Sequence, residues 1–370
     1  MNSTAPEEQP RQTPQGDTFL SGDTSAQSQF SSSGEPGPPP GPRRSAQAPA
    51  HPTGGAAFGP GSRVRRTGRR PDALLDATVR LQPRDSVLTL LLEEHRTLTT
   101  TQIAAVLYDS YATARARLYR LRRADWLDRF AVIRATGRLD THWVLGPLGA
   151  SWAAGQQQRP EPTAKAARDA RHAIAASSHL EHHDGAHQIF IDLLVHARHH
   201  PGTRLARWWS PARTAAASGQ RVHPDGHGVW EEHDPATAQT TQVGFYLEYD
   251  TGTETLTTLK NKLGPYQRLH QDGPDYPLLI WLPSPTREAN LHRKLNGDTA
   301  RLGFTLATTS PAAIAAHPDR ITGPVWKIAG NGRPRHRLGD LPSHHGKPGA
   351  PYHPGPPTPE QDPLYRLRPE

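Results

Sequence analysis

Apolar residues recur with two different periods along this chain, helical from about residue 81 to 150 and mixed from 172 to 332, and thin out on either side. Within 85–96, Val87, Leu88, Leu91 and Leu92 fall at helical spacing. Thr99-x-x-Gln102 is a capping-box pattern that opens a second helix through Tyr108. Asp109 or Ser110 can cap a third, running to about Ala124. Residues 126–133 and 141–145 then read as two short strands around a turn. Three short helices closed by a β-hairpin is the order of a winged helix-turn-helix.

The second region has another texture. Residues 172–198 predict one long helix or two, with Ile189, Phe190, Leu193 and Leu194 on the apolar face. Strands follow at 204–210 and 220–230. The run 243–249 is apolar nearly throughout, as expected of a central strand covered on both faces. A helix at 255–270, a buried strand at 277–282, a helix at 288–295, a short strand at 304–308 and an edge strand at 324–328 complete the series. This alternation predicts a mixed α/β sheet, and hence a multidomain α/β chain. No internal repeat is visible.

Composition sharpens the boundaries. Only 34% of the 370 residues are hydrophobic, and the 38 prolines concentrate at the two ends. Residues 1–80 and 333–370 therefore predict disordered tails, too poor in large apolar groups to offset their ordering entropy. The expected division is a tail at 1–80, a winged helix at 81–150, a linker at 151–171, a sheet domain at 172–332 and a second tail. The absence of cysteine excludes disulfides and Cys-based zinc sites. No apolar run matches a membrane span, and the first residues lack the pattern of a signal peptide. A soluble, cytoplasmic protein is expected, with no membrane partner.

The net charge is +8, carried mostly by arginine; lysine occurs only at Lys165, Lys260, Lys262, Lys294, Lys327 and Lys347. Clustering says more than the total. On the third helix Ala114, Leu118 and Leu121 form an inward stripe, while Arg115, Tyr119 and Arg122 share another face. Arg117, Arg120 and Arg123 widen that surface, as a recognition helix against DNA requires. Arg63, Arg65, Arg66, Arg69 and Arg70 form a basic arm ahead of it, of the kind that lies along phosphates or in a minor groove.

Candidate chemistry centres on carboxylates. Asp225 follows a predicted strand, and Glu248 and Asp250 lie two apart near the end of the next one, so their side chains would project to one side. Three clustered carboxylates repel unless a cation neutralises them. Mg²⁺, or Mn²⁺ in its place, would resolve the conflict and activate water near a phosphate, with Lys262 or Lys260 supplying an ammonium.

These residues carry a resemblance. Pro224-Asp225 followed by Glu248-x-Asp250 resembles the PD-(D/E)xK nuclease pattern. Five stretches are similar to the replication-relaxation family of actinobacterial plasmid and mobile-element proteins: Arg207-Trp-Trp-Ser210, 222–230, 245–254, Lys262-Leu-x-x-Tyr266 and 281–290. The resemblance spans about 85–330. It implies a winged-helix DNA-binding domain joined to a restriction-endonuclease-like domain, with plasmid replication or relaxation proteins as partners. It further implies Asp225, Glu248 and Asp250 as metal ligands, with Lys262 completing the catalytic set. The departure is at position 250, where the nuclease pattern has Lys and this chain has Asp. A lysine supplied by the next helix would restore the chemistry. Without it, the chain would be a non-catalytic DNA-binding accessory factor or transcriptional regulator.

Other readings carry less. His179, His183 and His187 fall four apart, but Gly185 interrupts that helix and no further ligand completes a zinc site. Asp192 fits a solvent edge. Trp208 and Trp209 could stack on unpaired bases, though core packing suits the pair better. No phosphate-binding Gly-x-x-x-x-Gly-Lys-Ser/Thr occurs, which excludes a P-loop ATPase.

Overall fold

The computed structural model describes residues 71–133, 139–330 and 334–368, all within one compact unit. The arm residues Arg65 and Arg66 lie outside the described residues, as does the stretch 134–138 that was expected as a turn. Helix α1 (Pro71–Thr78) occupies part of the segment expected as a tail, and Leu74 and Ala77 pack on the core.

Helix α2 (Pro83–His95), strand β1 (Leu98–Thr99), helices α3 (Thr100–Leu107) and α4 (Tyr111–Arg123), and strands β2 (Leu127–Ile133) and β3 (Leu139–Leu145) follow in order. The capping box forms as its spacing requires: Thr99 Oγ1 accepts from Gln102 N at 3.2 Å, and Gln102 Oε1 accepts from Thr99 N at 3.0 Å. Ser110 caps α4. The small sheet is antiparallel in the order β1-β3-β2.

Helices α5 (Pro147–Gln156) and α6 (Ala164–Ala175) replace the expected linker, and α7 (Leu180–His199) leads into the large sheet. That sheet contains β4 (Thr203–Trp209), β5 (Gly226–Asp234), β6 (Gln239–Tyr249), β7 (Leu278–Trp281), β8 (Leu306–Thr309) and β9 (Lys327–Ile328), hydrogen-bonded in chain order. It is mixed: β4, β5 and β6 are antiparallel, β6, β7 and β8 parallel, and β9 antiparallel. Helix α8 (Pro211–Ala217) follows β4. Helices α9 (Leu256–Asn261) and α10 (Leu263–Asp272) connect β6 to β7, α11 (Pro285–Leu295) connects β7 to β8, and α12 (Pro311–Ala315) follows β8. The fold is mixed α/β.

Helix α7 covers one face through Phe190, whose ring stacks on Trp208 at 5.1 Å and Phe245 at 5.8 Å. Leu259, Leu263 and Tyr266 of α9–α10 pack with Tyr246 and Leu278. Gly185 does not interrupt α7. The helix runs through it, and a Cβ there would come within 2.3 Å of the Tyr249 ring, so the glycine permits close approach.

The two regions are not separate globules. One hydrophobic cluster includes Leu88, Leu107 and Trp143 together with Phe190, Trp208 and Trp326. Arg198, near the end of α7, donates to the carbonyls of Ala105, Val106 and Tyr108 at 2.9, 3.0 and 3.2 Å, satisfying groups that the end of α3 leaves open. His142 Nε2 meets Asp184 Oδ2 at 2.8 Å in the interior.

Residues 334–368 also depart from expectation. They bury Leu338, Leu341 and Leu364, and their backbone seals the fully buried Arg207. Gly355 O and Pro356 O each accept from its guanidinium at 3.1 Å, and Gln361 Oε1 accepts at 2.8 Å. A segment too polar to build its own core can still dock on one that exists.

Candidate functional site

Asp225 lies in the loop just before β5, and its backbone N–H donates to Leu247 O of β6 at 2.8 Å. That bond anchors the loop at the end of the neighbouring strand. The carboxylate then accepts from Tyr249 N through Oδ2 at 2.7 Å and meets His182 Nε2 through Oδ1 at 2.7 Å. His182 comes from the first turn of α7. One residue before Tyr249, Glu248 is buried and accepts from the Tyr266 hydroxyl at 2.6 Å. Lys262, at the break between α9 and α10, places Nζ 3.7 Å from Glu248 Oε2 and 3.0 Å from Glu254 Oε2.

These side chains line a cleft of about 880 Å³ at the carboxyl ends of β6 and β7, whose walls include Tyr249, Trp281, Pro283 and Pro265. Open α/β sheets place ligands at such strand ends.

Electrostatics follow from crowding. Burial, reinforced by the charge of Asp225, raises the Glu248 carboxyl to about 7, against the pull of the Tyr266 hydrogen bond and Lys262. For His182 burial works downward, but the Asp225 hydrogen bond and charge prevail and the net shift is upward. Lys262 is also raised: burial opposes, and the Glu254 hydrogen bond with the Glu248 charge outweighs it. The cleft stabilises its cations and leaves one carboxylate poised near neutrality.

The structure brings together Asp225, Glu248 and Lys262, whereas Lys260 pairs with Asp298. Asp250 is held apart from them. Although it borders the cleft, it forms a bidentate pair with Arg287 and accepts from Gly252 N at 2.9 Å. Position i+2 set its side of the strand; the arginine of α11 set its partner. Among the described residues, no three His, Cys, Asp or Glu side chains converge as a metal cage. His179, His183 and His187 do not form such a group. Asp192 lies outside the cleft, half-buried and bonded to Gln188 Nε2 at 2.7 Å.

On α4, Arg115, Arg120, Arg122 and Arg123 are exposed, with Arg122 Nε 3.9 Å from Asp128. Arg117 does not belong to that face. Its guanidinium turns inward onto Asp85, which is fully buried, with Nε 3.1 Å from Oδ1. Tyr119 is half-buried against Trp143, with the guanidinium groups of Arg115 and Arg129 5.4 and 5.0 Å from its ring centroid. Trp208 and Trp209 are both buried.

The sequence pattern of the replication-relaxation family matches residues 89–278, more than half of the chain. The chain belongs to the replication-relaxation family. The match takes in His182, Asp225, Glu248 and Lys262 and stops before Trp281 and Arg287. No curated protein and no solved structure is similar enough to count as a match. Among the described residues, no helix of this replication-relaxation protein is long and apolar enough to cross a membrane.

Several residues in or beside the cleft were not singled out in the sequence, although signals for most of them existed. Glu254, Tyr266 and Arg287 all fall within the stretches that carry the family resemblance. His182 is masked by the surrounding histidines, because regular fourfold spacing draws attention to its neighbours instead.

Proposed function

We propose that this replication-relaxation protein binds plasmid DNA through α4 and the hairpin that follows, a winged-helix arrangement, and cuts a phosphodiester in the Asp225–Glu248 cleft. The observation that carries the reading is the approach of Lys262 to Glu248, 3.7 Å apart, in the cleft that Asp225 also lines. This supplies from a helix the ammonium that the strand lacks at position 250. Asp225 and Glu248 would hold Mg²⁺ or Mn²⁺. Mg²⁺ commonly takes one or two carboxylates and fills its remaining positions with water and substrate phosphate, so a third acid is not required. The Glu248 carboxyl, raised first by burial and then by the charge of Asp225, fits this role, because a bound cation would offset both.

When bound, the metal would supply Lewis-acid stabilisation of the phosphate and a more acidic water. The protein's own part is positional. Tyr266 and the Tyr249 amide fix the carboxylates, His182 orients Asp225 and can exchange a proton with water, and Lys262 offsets phosphate charge. Exposed Arg115, Arg120 and Arg122 would neutralise backbone phosphates.

A second reading, a DNA-binding accessory factor or regulator without catalysis, draws support from Asp250, which Arg287 has taken out of the carboxylate set. A supercoiled plasmid titrated with Mg²⁺ and Mn²⁺ separates the two. Metal-dependent nicking that Asp225→Ala removes, with DNA binding intact, supports the first. Binding without nicking at any metal concentration supports the second.

A further inference from the structure

The cleft has two chemical characters side by side. Tyr249 and Trp281, register partners on β6 and β7, stack at 4.2 Å with their planes 12° apart. Both rings are only partly buried and both line the cleft, together with Pro283 and Pro265. Large flat apolar groups left partly in solvent beside a charged floor invite a flat partner. His182, which meets Asp225 Oδ1 at 2.7 Å, also sets its ring edge-on to Tyr249 at 5.7 Å, so the aromatic pair adjoins Asp225, while Glu248 leaves β6 on the other face and reaches the cleft around the strand end.

A nucleotide carries the same pair of characters, an aromatic base and an anionic phosphate one sugar apart. In a duplex the base faces are hidden in the stack, and only an unpaired nucleotide can offer both at once. Glu248 is buried, so the phosphate must also enter the cleft to reach it.

We infer that the Tyr249–Trp281 wall is a base-stacking subsite, and that the substrate of the cleft is unpaired DNA. The exposed arginines of α4 remain the surface for duplex. This rests on reading the cleft as a phosphodiester site and specifies what enters it. Trp281 thereby acts in substrate choice, whereas the carboxylates serve the reaction.

The test is fluorescence anisotropy with a labelled single-stranded oligonucleotide and with the same strand annealed to its complement, both in Ca²⁺, which takes carboxylate oxygens and so offsets the acids of the cleft. Trp281→Ala is expected to weaken single-strand binding about tenfold, the order of one stacked base, while leaving duplex binding unchanged. Trp281→Phe is expected to retain most of the single-strand affinity. Unchanged single-strand affinity in Trp281→Ala, or equal loss for both DNA forms in a folded variant, overturns the inference. If Trp281→Ala fails to fold, the wild-type chain is compared on normal and abasic single strands. About tenfold weaker binding to the abasic strand supports the subsite, and equal binding overturns it. The difference between variant and wild type, or between abasic and normal strands, reports the stacking contribution. Failure to nick plasmid in Mg²⁺ would strike the cutting reaction and leave the affinity result standing.

Discussion

His182 Nε2 and Asp225 Oδ1 lie 2.7 Å apart, joining the first turn of α7 to the loop that enters β5. The pair makes the helix part of the cleft. The same helix, at its far end, fastens α3 through Arg198, so cleft and helical region are built on one strut.

The His182–Asp225 contact has a titration signature. The folded pKa of His182 lies above its usual value near 6.5, so the stabilisation from the pair is complete below about pH 6.5 and lost as pH rises through the raised value. Following the imidazole by nuclear magnetic resonance should give a midpoint above the ordinary histidine range. Asp225→Asn should bring it down. A wild-type midpoint at or below the ordinary value would contradict the contact.

Glu248 shifts stability in the same direction as His182, the reverse of an ordinary ion-paired carboxylate. Its folded value of about 7 exceeds the usual one near 4.5, so the folded state holds the proton longer and stability falls as pH rises between those values. In metal-free buffer Glu248→Gln should therefore melt higher than wild type at pH 8, by roughly 2 °C or more, and alike at pH 4. Calorimetry at the two pH values decides it. Added Mg²⁺ should narrow the gap by stabilising only the wild type.

Arginines on one helix should separate into two kinds. Arg117→Ala strands a fully buried carboxylate at Asp85 and should cost about 3–5 kcal/mol in a denaturant titration. Arg115→Ala and Arg122→Ala should stay within about 0.5 kcal/mol of wild type. Each should also flatten the salt dependence of DNA binding by about one unit of slope. A stable Arg117→Ala variant with weakened DNA binding would return Arg117 to the outer face.

Asp250 and Asp225 should differ in the same manner. Arg287→Ala leaves the buried Asp250 carboxylate without its ion-pair partner and should lower stability by about 3–5 kcal/mol, whereas Asp225→Asn should remove metal-dependent nicking with less effect on stability. Nicking that survives Asp225→Asn but not Asp250→Asn would reverse the assignment.

Local signals were legible wherever chemistry and spacing act within a few residues. The capping box at Thr99 and Gln102, the Ser110 cap and the apolar run of β6 all lie where the sequence puts them. So do Asp225 and Glu248 beside Lys262. Long-range partners were not legible. Nothing near Asp250 announces Arg287, nothing near Arg117 announces Asp85, and periodicity cannot tell which neighbouring histidine meets an acid. The docked segment 334–368 escaped for a related reason, since composition measures whether a stretch can fold alone and not whether it can lie on another surface.

By itself, then, the sequence determined the order and type of most elements between the expected tails, the exposed arginines of α4 and the residues able to bear charge at the strand ends. Those follow from backbone hydrogen bonding and side-chain periodicity, which are local. Tertiary structure decided which charges are spent on one another and which remain for a ligand. A buried carboxylate takes whatever cation packing brings within reach, and for Asp250 and Asp85 that was an arginine, while Glu248 was left beside Lys262 in an open cleft.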